Sequence, residues 1–154
     1  MPSKNSDYAA YIEELTSRLV TVEENGRAAH FQNPQKAAVR RVLVDGGLMK
    51  QGKRADYVVS NPGIVDVIVE LKGSDTAHGI EQIRATYPVW KKHQLSSNMF
   101  GALIVRGQGI HPKQHANIQR WKNQMQIRHG MVLLVETRNR EYRFEEFLPR
   151  SCHD

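Results

Sequence analysis

Hydrophobic and polar positions alternate most clearly in a stretch near the middle of this 154-residue chain. Residues 54–60 and 64–71 are rich in β-branched and aromatic side chains, a composition that favours β-strands. The intervening Asn61-Pro62-Gly63 is typical of a tight turn. The pattern therefore predicts a β-hairpin, around which the rest of the fold is organised.

Three ionisable residues interrupt the apolar pattern of this hairpin, namely Asp56, Glu70 and Lys72. Side chains alternate along a strand, so Glu70 and Lys72 share one face while their apolar neighbours fill the other. A charge within an apolar strand costs free energy unless it is paired or bound to a metal ion. The repetition of this cost within one hairpin indicates a functional site.

A shared site for Asp56 and Glu70 would fix the register of the hairpin. Facing residues in an antiparallel pair have a constant sum of residue numbers, which is 126 when Asp56 lies opposite Glu70. That register closes the turn with Pro62, Gly63 and Ile64. A two-residue loop would place the two carboxylates on opposite faces, because a one-residue slip reverses every side chain.

Helices and strands alternate in the predicted structure after the hairpin. Gly73-Ser74-Asp75 is typical of a turn and a helix N-cap, and the helix that follows is expected to end or kink at Pro88. The apolar run 100–105 predicts a buried strand that lies parallel to the second hairpin strand. The remaining expected elements are a helix from about Pro112 and strands over residues 131–135 and 141–147.

The first part of the chain has apolar residues at helical spacing. Tyr8, Ile12, Leu15, Leu19 and Val22 would share one face of a helix. This spacing predicts an N-terminal helix over about residues 6–24, and Asn25-Gly26 would end it.

A second helix is expected before the hairpin. Asn33-Pro34 resembles a helix cap with proline at the first helical position, and the helix would run to about Val44. The apolar residues between Val39 and Val44 are also compatible with a strand. Residues 48–51 are a candidate for a short first strand.

The spacing of the ionisable residues resembles a known signature. Asp56, thirteen intervening residues and then Glu70-Leu71-Lys72 are similar to the D-x(n)-E-x-K motif of the PD-(D/E)XK nuclease superfamily. The resemblance implies that Asp56 and Glu70 hold Mg²⁺, for which Mn²⁺ would substitute, and that Lys72 helps to activate a water molecule. The proline that commonly precedes the aspartate is absent, because the chain has Arg54-Ala55 there.

The same resemblance implies an α/β fold with a central mixed sheet and helices on both sides. A restriction-endonuclease-like αβββαβ core would span about residues 34–106. The N-terminal helix and a C-terminal extension over about residues 112–148 would complete a single domain, residues 1–154. Many members of the superfamily also carry a glutamate on the helix before the first strand. Whether Glu23 or another carboxylate completes the metal site stays open.

Composition and charge narrow the class of partner. The formal net charge is +6 and the isoelectric point is about 9.6, which favours an anionic partner such as nucleic acid. The single cysteine, Cys152, excludes an internal disulfide and favours a reducing compartment, so a cytoplasmic location is expected. No signal peptide and no membrane-spanning run are predicted.

Basic residues precede the candidate site. Arg40, Arg41, Lys53 and Arg54 are expected to contact DNA phosphates, although a charge run is more often a solvated face. Gln82, on the helix after the E-x-K element, is a weaker candidate for contacting DNA or orienting Lys72.

These observations predict a Mg²⁺-dependent endodeoxyribonuclease that hydrolyses DNA phosphodiester bonds. Because one such site cuts one strand, a homodimer that cuts both strands is plausible. Two alternatives come from other classes of protein. The chain could be a basic nucleic-acid-binding protein that keeps the fold and does not cleave, or a structural subunit of a larger complex.

Overall fold

The computed structural model describes residues 10–71, 75–107 and 109–149. These residues form an α/β structure with two α-helices, nine strands and one 3₁₀ turn. The strands are β1 (Ile12–Leu15), β2 (Leu19–Glu24), β3 (Arg27–Gln32), β4 (Val39–Leu43), β5 (Tyr57–Asn61), β6 (Val65–Glu70), β7 (Phe100–Val105), β8 (Val132–Glu136) and β9 (Arg140–Tyr142). The helices are α1 (Thr76–Lys91) and α2 (Pro112–His129), and the 3₁₀ turn is Phe144–Phe147.

The main sheet has six strands in the order β1-β4-β5-β6-β7-β8. Strands β1, β4, β5 and β6 pair antiparallel, whereas β7 and β8 pair parallel to the strand before them. Helices α1 and α2 connect the parallel strands, as parallel pairing requires. The predicted mixed sheet, including the parallel pairing of β6 with β7, is confirmed.

Different layers cover the two faces of this sheet. Residues of both α-helices, among them Ile83 and Met125, pack on the face that carries Val58 and Ile68. A second sheet, ordered β2-β3-β9, and the 3₁₀ turn cover the face that carries Val59. The prediction of helices on both faces is therefore wrong for the described residues, because a small sheet buries the second face instead.

The predicted register of the central hairpin is confirmed. Tyr57 faces Val69 and Asn61 faces Val65, so the facing residue numbers sum to 126 throughout β5 and β6. The turn is closed by a hydrogen bond from the Ile64 N–H to the Asn61 carbonyl, at 2.9 Å. Gly63 has φ +80°, a conformation that glycine adopts without steric cost in this type of turn.

The N-terminal helix predicted over residues 6–24 is wrong for its described part, residues 10–24. Strands β1 and β2 occupy that region, and Val20 and Val22 are buried on one side of β2. The Asn25-Gly26 pair, with φ values of 51° and 80°, forms the two-residue loop of the β2–β3 hairpin. Asn-Gly is the strongest short hairpin signal, so this turn favours a strand over a helical ending.

The second predicted helix, Asn33 to Val44, is also wrong. Asn33 forms a loop in which its side-chain amide donates to the carbonyls of Ser17 and Ala37, and the alternative strand forms as β4. The short strand considered for residues 48–51 is absent from the described fold, where one bridge between Asp45 and Met49 is seen instead. A restriction-endonuclease-like core with its leading helix is thus not observed in the described residues.

The elements after the hairpin follow the prediction more closely. Asp75 caps α1, and α1, β7, α2 and β8 form within a residue or two of their predicted starts. The sequence predicts that Pro88 ends or kinks this helix. Helix α1 continues through Pro88 to Lys91, so it does not end there. The last strand is shorter than predicted, because the 3₁₀ turn begins at Phe144.

Close packing fixes the 3₁₀ turn against the sheet. A Cβ atom on Gly101 of β7 would lie 2.6 Å from the Cβ of Phe147. Phe147 itself is fully buried beside Phe31 of the second sheet. No helix in the described part of the chain is long and apolar enough to cross a membrane.

Candidate active site

Asp56 and Glu70 lie at the same end of neighbouring strands. Asp56 directly precedes β5, and Glu70 is the last residue of β6. Both are buried, with 1% and 0% of their surface exposed. Both lie next to the Tyr57–Val69 pair. Strand alternation places Glu70 on the helix-covered face with Ile68, whereas Asp56 lies just outside the regular pairing of β5.

A backbone hydrogen bond orients the Asp56 carboxylate. Its Oδ2 accepts from the N–H of Leu71 at 2.7 Å, while the Asp56 N–H donates to the Val69 carbonyl at 3.1 Å. The regular backbone hydrogen bonding between β5 and β6 thus ends at Asp56. There the Asp56 carboxylate, instead of a backbone carbonyl, accepts the N–H of Leu71.

Helix α1 covers Glu70. A Cβ atom on Gly79 would lie 3.6 Å from the Cγ of Glu70 and 3.1 Å from the Cδ1 of Ile104. Thr86 links α1 to the segment before β5, because its Oγ1 accepts from the Ala55 N–H at 2.8 Å. A glycine at position 79 therefore lets the first turns of α1 approach Glu70 closely.

The donor set fits a hard cation only in part. Two buried carboxylates at one end of β5 and β6 offer the oxygen ligands that Mg²⁺ takes. Mg²⁺ commonly uses one or two carboxylates together with substrate phosphates. Among the described residues no group of three or more histidine, cysteine, aspartate or glutamate side chains converges. Lys72 lies outside the described residues.

Two of the predicted DNA-contacting cations lie near this end of the sheet. Lys53 Nζ bonds Glu81 of α1 at 2.6 Å, and Arg54 Nε bonds Asp45 at 2.7 Å. The hydrogen bond and charge of Lys53 lower the pKa of Glu81. Both cations are thus paired within the protein, in exposed or half-exposed positions where such pairs exchange readily with other partners.

The other two predicted cations are separated from the carboxylates and from each other. Arg40 faces Ser60 and Arg41 faces Val59, so they lie on opposite faces of the sheet. Ser60 is four residues along the strand from Asp56, about 13 Å at the usual rise. Arg41 also donates to Glu13 at 3.0 Å and to the Thr21 carbonyl at 2.8 Å.

Two further predicted residues have clear positions. Gln82 lies half-buried in the second turn of α1, where its carbonyl accepts from the Thr86 hydroxyl. Glu23, considered as an additional metal ligand, is exposed on β2. It lines a pocket of about 350 Å³ with Glu13, Arg41 and Tyr57. The structure therefore does not bring Glu23 to the helix-covered face that carries Glu70.

Sequence reasoning missed a fourth ionisable residue in the hairpin, Asp66. It is fully buried and accepts from the Ser60 hydroxyl at 2.6 Å, the Trp90 indole N–H at 2.8 Å and the Ser97 N–H at 2.8 Å. The Ser97 hydroxyl also donates to it. Asp66 ties β6 to the end of α1 and the loop beyond, which is a structural role.

Sequence reasoning also missed Arg106, which directly follows β7. It is 5% exposed, and its Nη1 donates to Thr76 Oγ1 at 2.9 Å and to Gln114 Oε1 at 3.0 Å. A charged residue immediately after the wholly apolar strand Phe100–Val105 was the signal in the sequence. The carboxyl ends of parallel strands are common ligand sites.

Comparison of the chain with known protein families, curated proteins and solved structures yields no match.

Proposed function

We propose that the chain is a Mg²⁺-dependent nuclease that hydrolyses DNA phosphodiester bonds. The observation that carries the proposal is the placement of Asp56 and Glu70, two buried carboxylates, at the same end of two paired strands. Carboxylate oxygens are the ligands that Mg²⁺ takes in proteins, commonly one or two together with substrate phosphates.

The order of elements supports the proposal. Strands β4, β5 and β6 form an antiparallel meander, α1 follows, and β7 joins β6 in parallel. This is the order that the PD-(D/E)XK resemblance implies after its first helix. Asp56 precedes the second strand of that order and Glu70 ends the third, as the motif requires.

The chemistry follows from these residues. Asp56 and Glu70 would hold Mg²⁺, which supplies charge compensation at the phosphate and lowers the pKa of bound water. Lys72 would orient the attacking water and take up its proton. The water oxygen forms a bond to phosphorus, the bond to one bridging oxygen breaks, and the departing oxygen takes up a proton.

Substrate binding would use the basic side chains around the site. Lys53 and Arg54 are nearest in the chain to Asp56, and each can exchange its protein carboxylate for a DNA phosphate. Arg40 and Gln82 are further proposed contacts on the helix-covered side of the fold. Arg41 would contact DNA only if the strand also reaches the face covered by the second sheet.

The direct test is incubation of purified protein with supercoiled, linear and single-stranded DNA, in Mg²⁺ and in EDTA. The proposal expects cleavage of at least one form in Mg²⁺ and none in EDTA. DNA binding with a steep salt dependence and no cleavage would instead support the non-cleaving DNA-binding protein. Negligible DNA affinity and no cleavage would support the structural subunit.

A further inference from the structure

Arg106 is a buried cation without a carboxylate partner in the described part of the chain. Its Nη1 has two neutral acceptors, Thr76 and Gln114, and its Nε is buried with no hydrogen-bond partner. Burying a guanidinium among neutral groups is costly, and the fork of N–H donors matches the oxygens of a phosphate. The side chain is therefore built like an anion receptor.

The two acceptors of Arg106 line an open pocket. Thr76 and Gln114 contribute to a cavity of about 240 Å³ whose other lining residues are Asp75, Ala77, Asn117 and Trp121. We call this cavity the Arg106 pocket because Arg106 lies directly behind Thr76 and Gln114, although it is not itself among the lining residues. The cavity lies between the N-terminal turns of α1 and α2. Thr76 is the first residue of α1, so the backbone N–H dipoles at the start of that helix favour an anion there. In α2 the N–H groups of Lys113 and Gln114 already donate to His111.

The charge around the pocket also favours an anion. Helix α2 contains no aspartate or glutamate, and its first turn carries Lys113. Asp75 is the one carboxylate at the rim, and its side chain already accepts from the His78 N–H as the cap of α1. The local balance is thus positive.

The Arg106 pocket is adjacent to the proposed metal site. Ile104 faces Glu70 in the parallel register, and Arg106 is two residues further along the same face of β7. That offset is about 5 Å across the strands and roughly 6–7 Å along them. A DNA strand held at Glu70 would reach the pocket with a neighbouring phosphate.

We infer that the Arg106 pocket binds one phosphate of the substrate DNA strand, next to the phosphate that is cleaved. The inference rests on the proposed nuclease function for the identity of its ligand. Arg106 would hold a non-bridging oxygen in place of the neutral acceptors of its Nη1, Thr76 and Gln114, and the N-terminus of α1 would add backbone donors. It is a binding residue that fixes the position of the strand.

The test uses an exposed residue, because replacing buried Arg106 could unfold the protein. Gln114→Glu puts a carboxylate next to Arg106 and neutralises the pocket, while Gln119→Glu makes the same charge change at an exposed site further along α2. The first probe is inorganic phosphate against chloride at equal ionic strength. Phosphate should raise the Tm of the wild type and Gln119→Glu with concentration, and should leave Gln114→Glu unaffected.

The second probe is a short DNA duplex, bound in EDTA over a range of salt. Gln114→Glu should flatten the slope of log Kobs against log salt by roughly 0.9 relative to Gln119→Glu, as expected for one lost phosphate contact. Loss of both effects in Gln114→Glu supports the inference even if the protein cleaves no DNA, in which case the nuclease proposal alone fails. Identical behaviour of the two variants with either probe overturns the inference.

Discussion

The carboxylate of Asp56 accepts the backbone N–H of Leu71 at 2.7 Å, across the open end of the β5–β6 hairpin. This bond links the residue before β5 to the residue after Glu70, so one proposed metal ligand helps to hold the other in place. Asp56 therefore has a structural and a proposed chemical role, and two substitutions can separate them.

Asp56→Asn keeps an oxygen that can accept from Leu71, whereas Asp56→Ala does not. We expect both variants to lose Mg²⁺-dependent cleavage by about 10²-fold or more, because a metal ligand is lost. Only Asp56→Ala should also lose roughly 1–3 kcal/mol of unfolding free energy, because a buried N–H is left without its acceptor. Urea unfolding and cleavage assays on both variants check this. Equal stability of the two variants would contradict the structural role.

Replacement of Asp66 should lower the stability of the fold without changing cleavage. Asp66→Ala leaves the buried donors of Trp90, Ser60 and Ser97 unsatisfied, so we expect a loss of about 3–5 kcal/mol of unfolding free energy. Because Asp66 is at the far end of β6 from Glu70, cleavage per folded molecule should be unchanged. Denaturant unfolding, together with activity scaled to the folded fraction, separates the two effects. Loss of cleavage in fully folded protein would assign Asp66 to the site.

Gly101→Val should destabilise the fold through its contact with Phe147. A Cβ at position 101 would approach the Phe147 Cβ to 2.6 Å, which forces the 3₁₀ turn away from the sheet. We expect a loss of about 1–3 kcal/mol or more. Gly109→Ala is the control, because a Cβ there meets nothing within 4 Å. Similar unfolding midpoints for the two variants would contradict the packing described for Phe147.

The free energy of unfolding should decline towards acid pH because of two histidines, His93 and His129. Burial, together with the charge of Arg40, lowers the pKa of His93, and burial together with the charges of Arg84, Arg128 and Lys91 lowers the pKa of His129. The unfolded state then binds more protons than the folded state. Stability is thus fully present above the unfolded pKa of about 6.5 and is lost as the pH falls through the lower folded values.

The measurement is the unfolding free energy of the wild type and of a His93→Gln, His129→Gln double variant between about pH 7.5 and pH 5. The double variant should show a shallower pH dependence over this window. Removal of the Trp90–His93 stacking, with ring centroids 4.5 Å apart, lowers its stability at every pH and leaves the slope as the informative quantity. If the double variant has the same slope of unfolding free energy against pH as the wild type, the decline does not come from His93 and His129.

The sequence predicted best where one local signal decides the structure. The β5–β6 hairpin follows from the Asn61-Pro62-Gly63 turn and strict alternation, and α1 follows from its Asp75 cap. The hairpin register was predicted from the requirement that Asp56 and Glu70 share one site. The prediction for the N-terminal region was wrong because the spacing of its apolar residues suits a helix as well as a strand. There the Asn25-Gly26 turn and pairing with β3 decide the outcome, and pairing is a tertiary property.

The candidate site was predictable only in part for the same reason. Asp56 and Glu70 stand out as charges within apolar strands. Asp66 interrupts the same strand, but its partners Trp90 and Ser97 are more than twenty residues away in the chain and meet it only after folding. The role of Arg106 likewise depends on the approach of α1 and α2, which bring Thr76 and Gln114 together.

The central claim is tested most directly by single-turnover DNA cleavage in Mg²⁺ by wild type and Glu70→Gln. Glu70→Gln preserves side-chain volume at a buried position, and Glu145→Gln is an exposed control with the same charge change. The account predicts that wild type and Glu145→Gln cleave at similar rates, while Glu70→Gln binds DNA but cleaves at least about 10²-fold more slowly. Cleavage by Glu70→Gln at the wild-type rate would contradict the account.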